Sequence, residues 1–208
     1  MKKKQVLLIL PLLCFLGILV FVKICSTNSF DEGIYQALFS FRNHFLDTFF
    51  SNITICGNTI TVILIIAVSL FFLKKEERYL LLTTVCTTVG MNQLLKFLIQ
   101  RPRPDHLRLI IEKGYSCPSG HAMISIALYG FFIYFIHQEV KNKYIRWIFL
   151  FLFSVLILGI GCSRVYLGVH YPSDILGGYC LSLFILLFWI EKIPNWFRGD
   201  KNDKNGRK

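Results

Sequence analysis

The chain has 208 residues, 54% of them hydrophobic, with 23 Lys and Arg against 12 Asp and Glu and a formal net charge of +11. Apolar runs of membrane-spanning length recur along it, which excludes a soluble domain, where apolar and polar stretches alternate at short intervals. The basic residues collect at the ends of these runs, so they read as topology and lipid-headgroup signals rather than as a nucleic-acid surface.

Lys2, Lys3 and Lys4 precede the first apolar run, 6–22. The run has the outline of a signal peptide, but Lys23-Ile24-Cys25 follows it with no small-x-small cleavage pattern. The expectation is an uncleaved first span, kinked at Pro11 as membrane helices tolerate. Ser29-Phe30-Asp31-Glu32 has the spacing of a capping box. Beyond it Phe30, Ile34, Ala37, Leu38, Phe41 and Phe45 recur at helical intervals, with Gln36, Arg42 and Asn43 elsewhere. That pattern predicts an amphipathic helix lying in the membrane surface, also suited to packing over the bundle, and no chemistry is assigned to it.

The second span is expected at 59–73, with Ile53 as an alternative start, and the third at 79–99. A polar loop, 100–118, contains two Arg-Pro pairs. The fourth, fifth and sixth spans follow at 122–136, 145–160 and 175–190, and a polar, mobile tail is expected from Glu191. The predicted fold is all-α: one membrane-embedded domain over 1–208, with six transmembrane helices and an N-terminal interfacial helix. Seven cysteines are scattered without C-x-x-C spacing, which supports neither zinc nor a disulfide framework, and Cys117 reads as a bystander.

Fifteen of the 23 basic residues fall at Lys2–Lys4, in the 74–78 and 141–146 loops and in the tail. That side is expected to be cytoplasmic, with both termini, and the opposite side to carry the site.

On that opposite side three polar clusters converge. The first is Lys96 with Gln100-Arg101-Pro102-Arg103-Pro104. The second, Cys117-Pro118-Ser119-Gly120-His121, opens the fourth span: Ser119 suits an N-cap, Gly120 lets a ligand approach the backbone, and the helix start favours an anion. The third runs from Ser163-Arg164 to His170 and Asp174. Each has a plainer reading alone, Lys96 snorkelling to headgroups or Ser119 capping a helix. Simple capping leaves His121 unexplained, because an ionisable group is costly to leave idle at that depth.

Together the clusters supply cations, a helix N-terminus and two imidazoles, an inventory that suits phosphoryl transfer. Arg164 can hold a phosphate oxygen with its planar fork of donors. Asp174 can orient the His170 imidazole and leave its other nitrogen as a nucleophile. No acidic cluster suited to Mg²⁺ accompanies them, so the cations must do the electrostatic work.

Lys96 with Arg103-Pro104, Pro118-Ser119-Gly120-His121, and Ser163-Arg164 with His170 and Asp174 resemble the three-part signature of the type 2 phosphatidic acid phosphatase (PAP2) superfamily. The spacing selects Arg103 rather than Arg101 for the motif, which leaves Arg101 without a role. The chain is similar in length and layout to the small bacterial phosphatidylglycerophosphatase B-like and undecaprenyl-pyrophosphate phosphatase members. The resemblance implies that His170 forms a phosphohistidine, that Asp174 orients it, and that His121 protonates the leaving group. It further implies that Lys96, Arg103, Pro104, Ser119, Gly120, Ser163 and Arg164 form the phosphate site, and that the enzyme needs no metal or other cofactor. Pro172 biases Tyr171 away from helix, so His170 and Asp174 are expected to straddle the start of the sixth span. The expected activity is removal of the terminal phosphate of undecaprenyl pyrophosphate or phosphatidylglycerol phosphate at the outer face of a bacterial plasma membrane. The rival is a non-catalytic lipid transporter or sensor on the same bundle.

Overall fold

The computed structural model describes residues 3–24, 29–105 and 108–205, with side chains placed for 5–24, 29–105 and 108–193. Lys2, Cys25 and the end of the tail, 206–208, lie outside the described residues. All regular structure among the described residues is helical.

Helix α1 (Lys3–Ile24) contains Pro11 and lays Phe15 against Leu181 and Ile185 of α8 (Pro172–Asn205). The predicted amphipathic helix is two helices, α2 (Ser29–Ser40) and α3 (His44–Ile53). Asn43 separates them: it is extended, and its side-chain oxygen accepts from the Leu46 N–H at 2.9 Å, which starts a new helix. A 3₁₀ turn, Thr54–Gly57, joins α3 to α4 (Thr59–Phe72), and the two arms bend by 49°. The second predicted span is therefore one arm of a bent pair. The Tyr166 hydroxyl donates to Asp47 at 2.7 Å and its ring stands 4.5 Å from that of Phe50, which holds α3 to the end of α7.

Helix α5 (Lys75–Ile99) starts where the Lys74 N–H donates to Glu77 at 2.7 Å. It stops at Gln100, whose φ of 52° turns the chain into the 100–118 segment. Helix α6 (Gly120–Glu139) is capped by Ser119, and α7 (Lys143–Tyr166) by Asn142. Helix α8 continues through Glu191 to Asn205, over the segment read as a polar tail.

Among the described residues, four helices are long and apolar enough to cross a bilayer: α1, α6, α7 and the Pro172–Ile193 part of α8; the bent pair is a fifth candidate. Helix α5 has the length, with 25 residues, but is less apolar, carrying Thr83, Thr84, Thr87, Thr88, Asn92 and Gln93 besides its charged first turn and Lys96. Leu81, Leu128, Phe131 and Ile160 are buried where α5 to α8 meet, while Phe71, Phe72 and Phe151 point outward. Against lipid, such a bundle is held by close packing and buried polar contacts rather than by expulsion of water. Tyr129 supplies one such contact, donating to the Cys56 carbonyl at 2.8 Å, and Ser182 another, donating to Met123 O at 2.7 Å. The N-termini of α6 and α8 and the C-terminus of α7 thereby meet at one end of the bundle, under the 100–118 segment.

Candidate active site

His170 sits in the reversal between α7 and α8. Gly168, at φ 73°, makes the turn, and the N–H groups of Val169 and His170 both donate to the Arg164 carbonyl, at 3.1 and 3.3 Å. Pro172 opens α8, so His170 lies before the helix and Asp174 in its first turn, as the proline predicted. His170 is 2% exposed. Its Nδ1 lies 3.6 Å from Asp174 Oδ2, an ion-pair distance rather than a hydrogen bond, and Ser116 fills the gap. The Ser116 hydroxyl is 3.3 Å from Nδ1 and donates to Asp174 Oδ2. Nε2 faces the other way, 3.2 Å from Arg103 Nη1. A guanidinium only donates, so this contact needs an unprotonated Nε2 and places the ring proton on Nδ1, towards the carboxylate. Burial pushes the His170 pKa down to about 4; Asp174 opposes this, and the Arg164 and Arg103 cations add to it.

Asp174 is fully buried, and its two oxygens have separate partners. Oδ2 accepts from Ser116 and from the Tyr171 N–H at 3.0 Å, and Oδ1 accepts from Arg101 Nη1 at 2.7 Å. Arg101 also donates to Ser173 Oγ at 2.8 Å and to Asp31 of α2 at 2.8 Å, and it stacks over the Tyr171 ring at 3.9 Å. Burial lowers the Arg101 pKa, and Asp174 and Asp31 more than offset that, so the guanidinium sits above its ordinary value.

The cations predicted to hold phosphate gather on the Nε2 side. Arg103 is fixed by the carbonyls of Gly114, Lys113 and Val169, at 3.0, 3.0 and 2.9 Å. Arg164 is 1% exposed, donates to Thr54 at 2.9 Å and is paired with Glu112. Glu112 reaches Arg103 as well, at 3.9 Å. Burial alone would raise the Glu112 pKa; Arg164, and then Arg103, pull it below the ordinary carboxylate value. Lys96 is half-buried in the last turn of α5, within electrostatic reach of Arg103, Glu112, Asp174 and Arg164.

At the start of α6, the Ser119 side chain accepts from Ala122 N at 3.4 Å and its own N–H donates to the Asp174 carbonyl at 3.2 Å. Asn92 donates to the Pro118 carbonyl at 2.9 Å and lies so near Gly120 that a Cβ there would stand 3.3 Å from its oxygen. His121 Nε2 is 2.8 Å from Asn58 Oδ1 at the 3₁₀ turn. Two predicted residues face elsewhere: Ser163 donates to the Ile160 carbonyl at 2.6 Å within its own helix, and the buried Pro104 accepts from Arg108 at 2.6 Å. Burial pushes the Cys117 thiol up, which keeps it unreactive.

Sequence reasoning missed Asp31, Asn58, Glu112 and Ser116, and left Arg101 without a role. Most of their partners lie 52 or more positions away in the chain, and Asp31 meets Ser173 142 positions away, beyond any helical spacing. The one usable signal was a carboxylate, Asp31, on a helix otherwise read as interfacial. The arrangement is a buried imidazole with one nitrogen turned to a carboxylate and the other to a cationic cradle, with a second imidazole across it. Such a site can accept a phosphoryl group on nitrogen and spread its charge over fixed donors.

The PAP2 superfamily profile matches residues 78–198, which include all three clusters. The chain is 35% identical over 191 residues to "Phosphatidylglycerophosphatase B" of Bacillus subtilis (strain 168), covering 88% of this chain and 93% of that protein. It is 26% identical over 163 residues to "Undecaprenyl-diphosphatase BcrC" of the same organism, covering 73% and 78%. The fold matches the crystal structure of the transmembrane PAP2 type phosphatidylglycerolphosphate phosphatase from Bacillus subtilis, with a TM-score of 0.76 and 32% identity over 87% of this chain and 94% of that one. An intact three-part signature, a shared helical fold and a relative 35% identical over 93% of its length agree: the chain belongs to the PAP2 superfamily and is a bacterial membrane enzyme of the lipid phosphatase type.

Proposed function

We propose that this enzyme removes the terminal phosphate of phosphatidylglycerol phosphate and of undecaprenyl pyrophosphate at the outer face of the plasma membrane. The observation that carries the reading is His170, with Nδ1 against Asp174 and Ser116 and Nε2 opening on Arg103 beside Arg164, Lys96 and the start of α6. The two substrates are those printed in the names of relatives that align along most of this chain.

In the proposed reaction Nε2 attacks phosphorus, the bond from phosphorus to the lipid-side oxygen breaks, and His121 gives that oxygen its proton. Arg103, Arg164, Lys96 and the α6 N-terminus carry the charge on the phosphoryl oxygens. Water then attacks the phosphohistidine, His121 takes a proton from it, and inorganic phosphate leaves. Glu112 must release the arginines before phosphate can take its place. The layout that fits this reading has six spans, α1, the α3–α4 pair, α5, α6, α7 and α8, with both termini cytoplasmic as the basic residues favour.

The test is phosphate release from each lipid by purified enzyme in detergent. Wild type should turn over both, orthovanadate should inhibit, chelators should not, and His170→Ala should remove turnover almost entirely. No release from either lipid would favour the transporter or sensor.

A further inference from the structure

We propose that Arg101, anchored by Asp31 of α2, is a positioning residue that holds the Asp174 carboxylate in the orientation His170 requires. The inference rests on His170 being the nucleophile. A buried carboxylate can turn about its last bond, and each orientation offers different oxygens to the imidazole. Here Arg101 holds Oδ1 at 2.7 Å, which leaves Oδ2 for Ser116, the Tyr171 N–H and the His170 side. Arg101 is itself locked on three sides: one nitrogen on Asp174 and Ser173, the other on Asp31, and its face on the Tyr171 ring. Asp31 adds a second tie, accepting from the Ser173 N–H at 2.8 Å and from the Ser173 hydroxyl at 2.7 Å. Helix α2, read as an interfacial element, thereby reaches the nucleophile through two buried ion pairs.

The simpler account is that Arg101 and Asp31 only fasten α2 to the bundle. The two accounts differ in what His170 feels. Among the described residues, the charged and titratable groups around it are Asp174 from α8, Arg103 from the 100–118 segment and Arg164 from α7, with Glu112, His121 and Lys96 of α5 across the site. Arg101 tempers the Asp174 charge. Without it, Asp174 holds the His170 proton more strongly, and the attacking form emerges at higher pH. Asp31 shares Arg101, so its loss gives Asp174 more of that cation and acts in the opposite direction.

The experiment measures kcat and KM against pH for the full-length enzyme in detergent on a lipid phosphate monoester. Arg101→Gln should lower kcat about 10–100-fold, change KM little, and move the acid limb of kcat/KM up by about half to one pH unit. Arg101→Lys should restore the position of the limb. Asp31→Asn should move it down, which keeps the test in force if Arg101→Gln does not fold. In the double variant the kcat loss should be no larger than in Arg101→Gln. An unmoved limb in the folded variants, or losses that multiply, would overturn the proposal in favour of fastening alone. His170→Ala is assayed alongside: turnover surviving there removes the nucleophile assignment, whatever the Arg101 variants do.

Discussion

Replacing His121 by Ala tests whether its imidazole is a proton donor or only a charged ligand. Phosphatidylglycerol phosphate loses an alkoxide, which needs a proton as the bond breaks, whereas undecaprenyl pyrophosphate loses a phosphate, which leaves readily without one. Removing a general acid costs about 10²–10⁴-fold, or about 2.7–5.4 kcal/mol at 1.36 kcal/mol per tenfold, so His121→Ala should lose that much on the monoester and clearly less on the pyrophosphate. The structure offers a gentler version. A Cβ on Gly57 would stand 2.8 Å from His121 Cδ2 and 3.1 Å from Ile160 Cγ2. Carbon contacts settle at about 3.5–4.0 Å, so in Gly57→Ala the ring retreats by roughly 0.7 Å or more. A misplacement of about 1 Å costs on the order of 10²-fold, so Gly57→Ala should lose somewhat less than that on the monoester and little on the pyrophosphate. The assay is single-turnover phosphate release on both lipids, where chemistry limits the rate. Equal losses on the two substrates would refute the proton-donor role and leave His121 as a ligand of the phosphoryl group.

The pH profile tests the burial of His170. Its folded-state pKa, pushed down to about 4, keeps the attacking neutral form above that pH, so the acid limb of kcat/KM should lie well below the ordinary imidazole value of about 6.5; a limb at or above that value would contradict the buried, cation-flanked setting. Glu112 occupies the arginine cradle with a carboxylate of its own, so Glu112→Gln should tighten orthovanadate inhibition severalfold, measured as the inhibition constant; weaker inhibition would mean that Glu112 holds the arginines in place for the substrate. For sidedness, cysteines introduced at Ile111 and near the C-terminus should be labelled by an impermeant reagent from outside and inside the cell, respectively; the reverse would place the site in the cytoplasm.

The sequence by itself determined the membrane class, the helical fold and the family signature. Long apolar runs can be satisfied in lipid only by helices or closed barrels, and an ionisable side chain held within a span is costly unless it has a partner. Ser119 was legible as a cap and Pro172 as a helix start because both act through bonds within a few residues of themselves. Tertiary structure alone decided what those residues touch. Helical periodicity reports neighbours three and four positions apart, whereas Arg101 finds Asp31 70 positions away and Ser116 finds Asp174 58 positions away. It also decided that the amphipathic stretch is two helices. Asn43 could have continued one helix by pattern, but Asp47 and Phe50 are held by Tyr166 and Thr54 by Arg164, which set α3 at the end of α7 and bend it from α4. The partition of Asp174 between Arg101 and His170 had no local signal, since it depends on three segments meeting above one helix end.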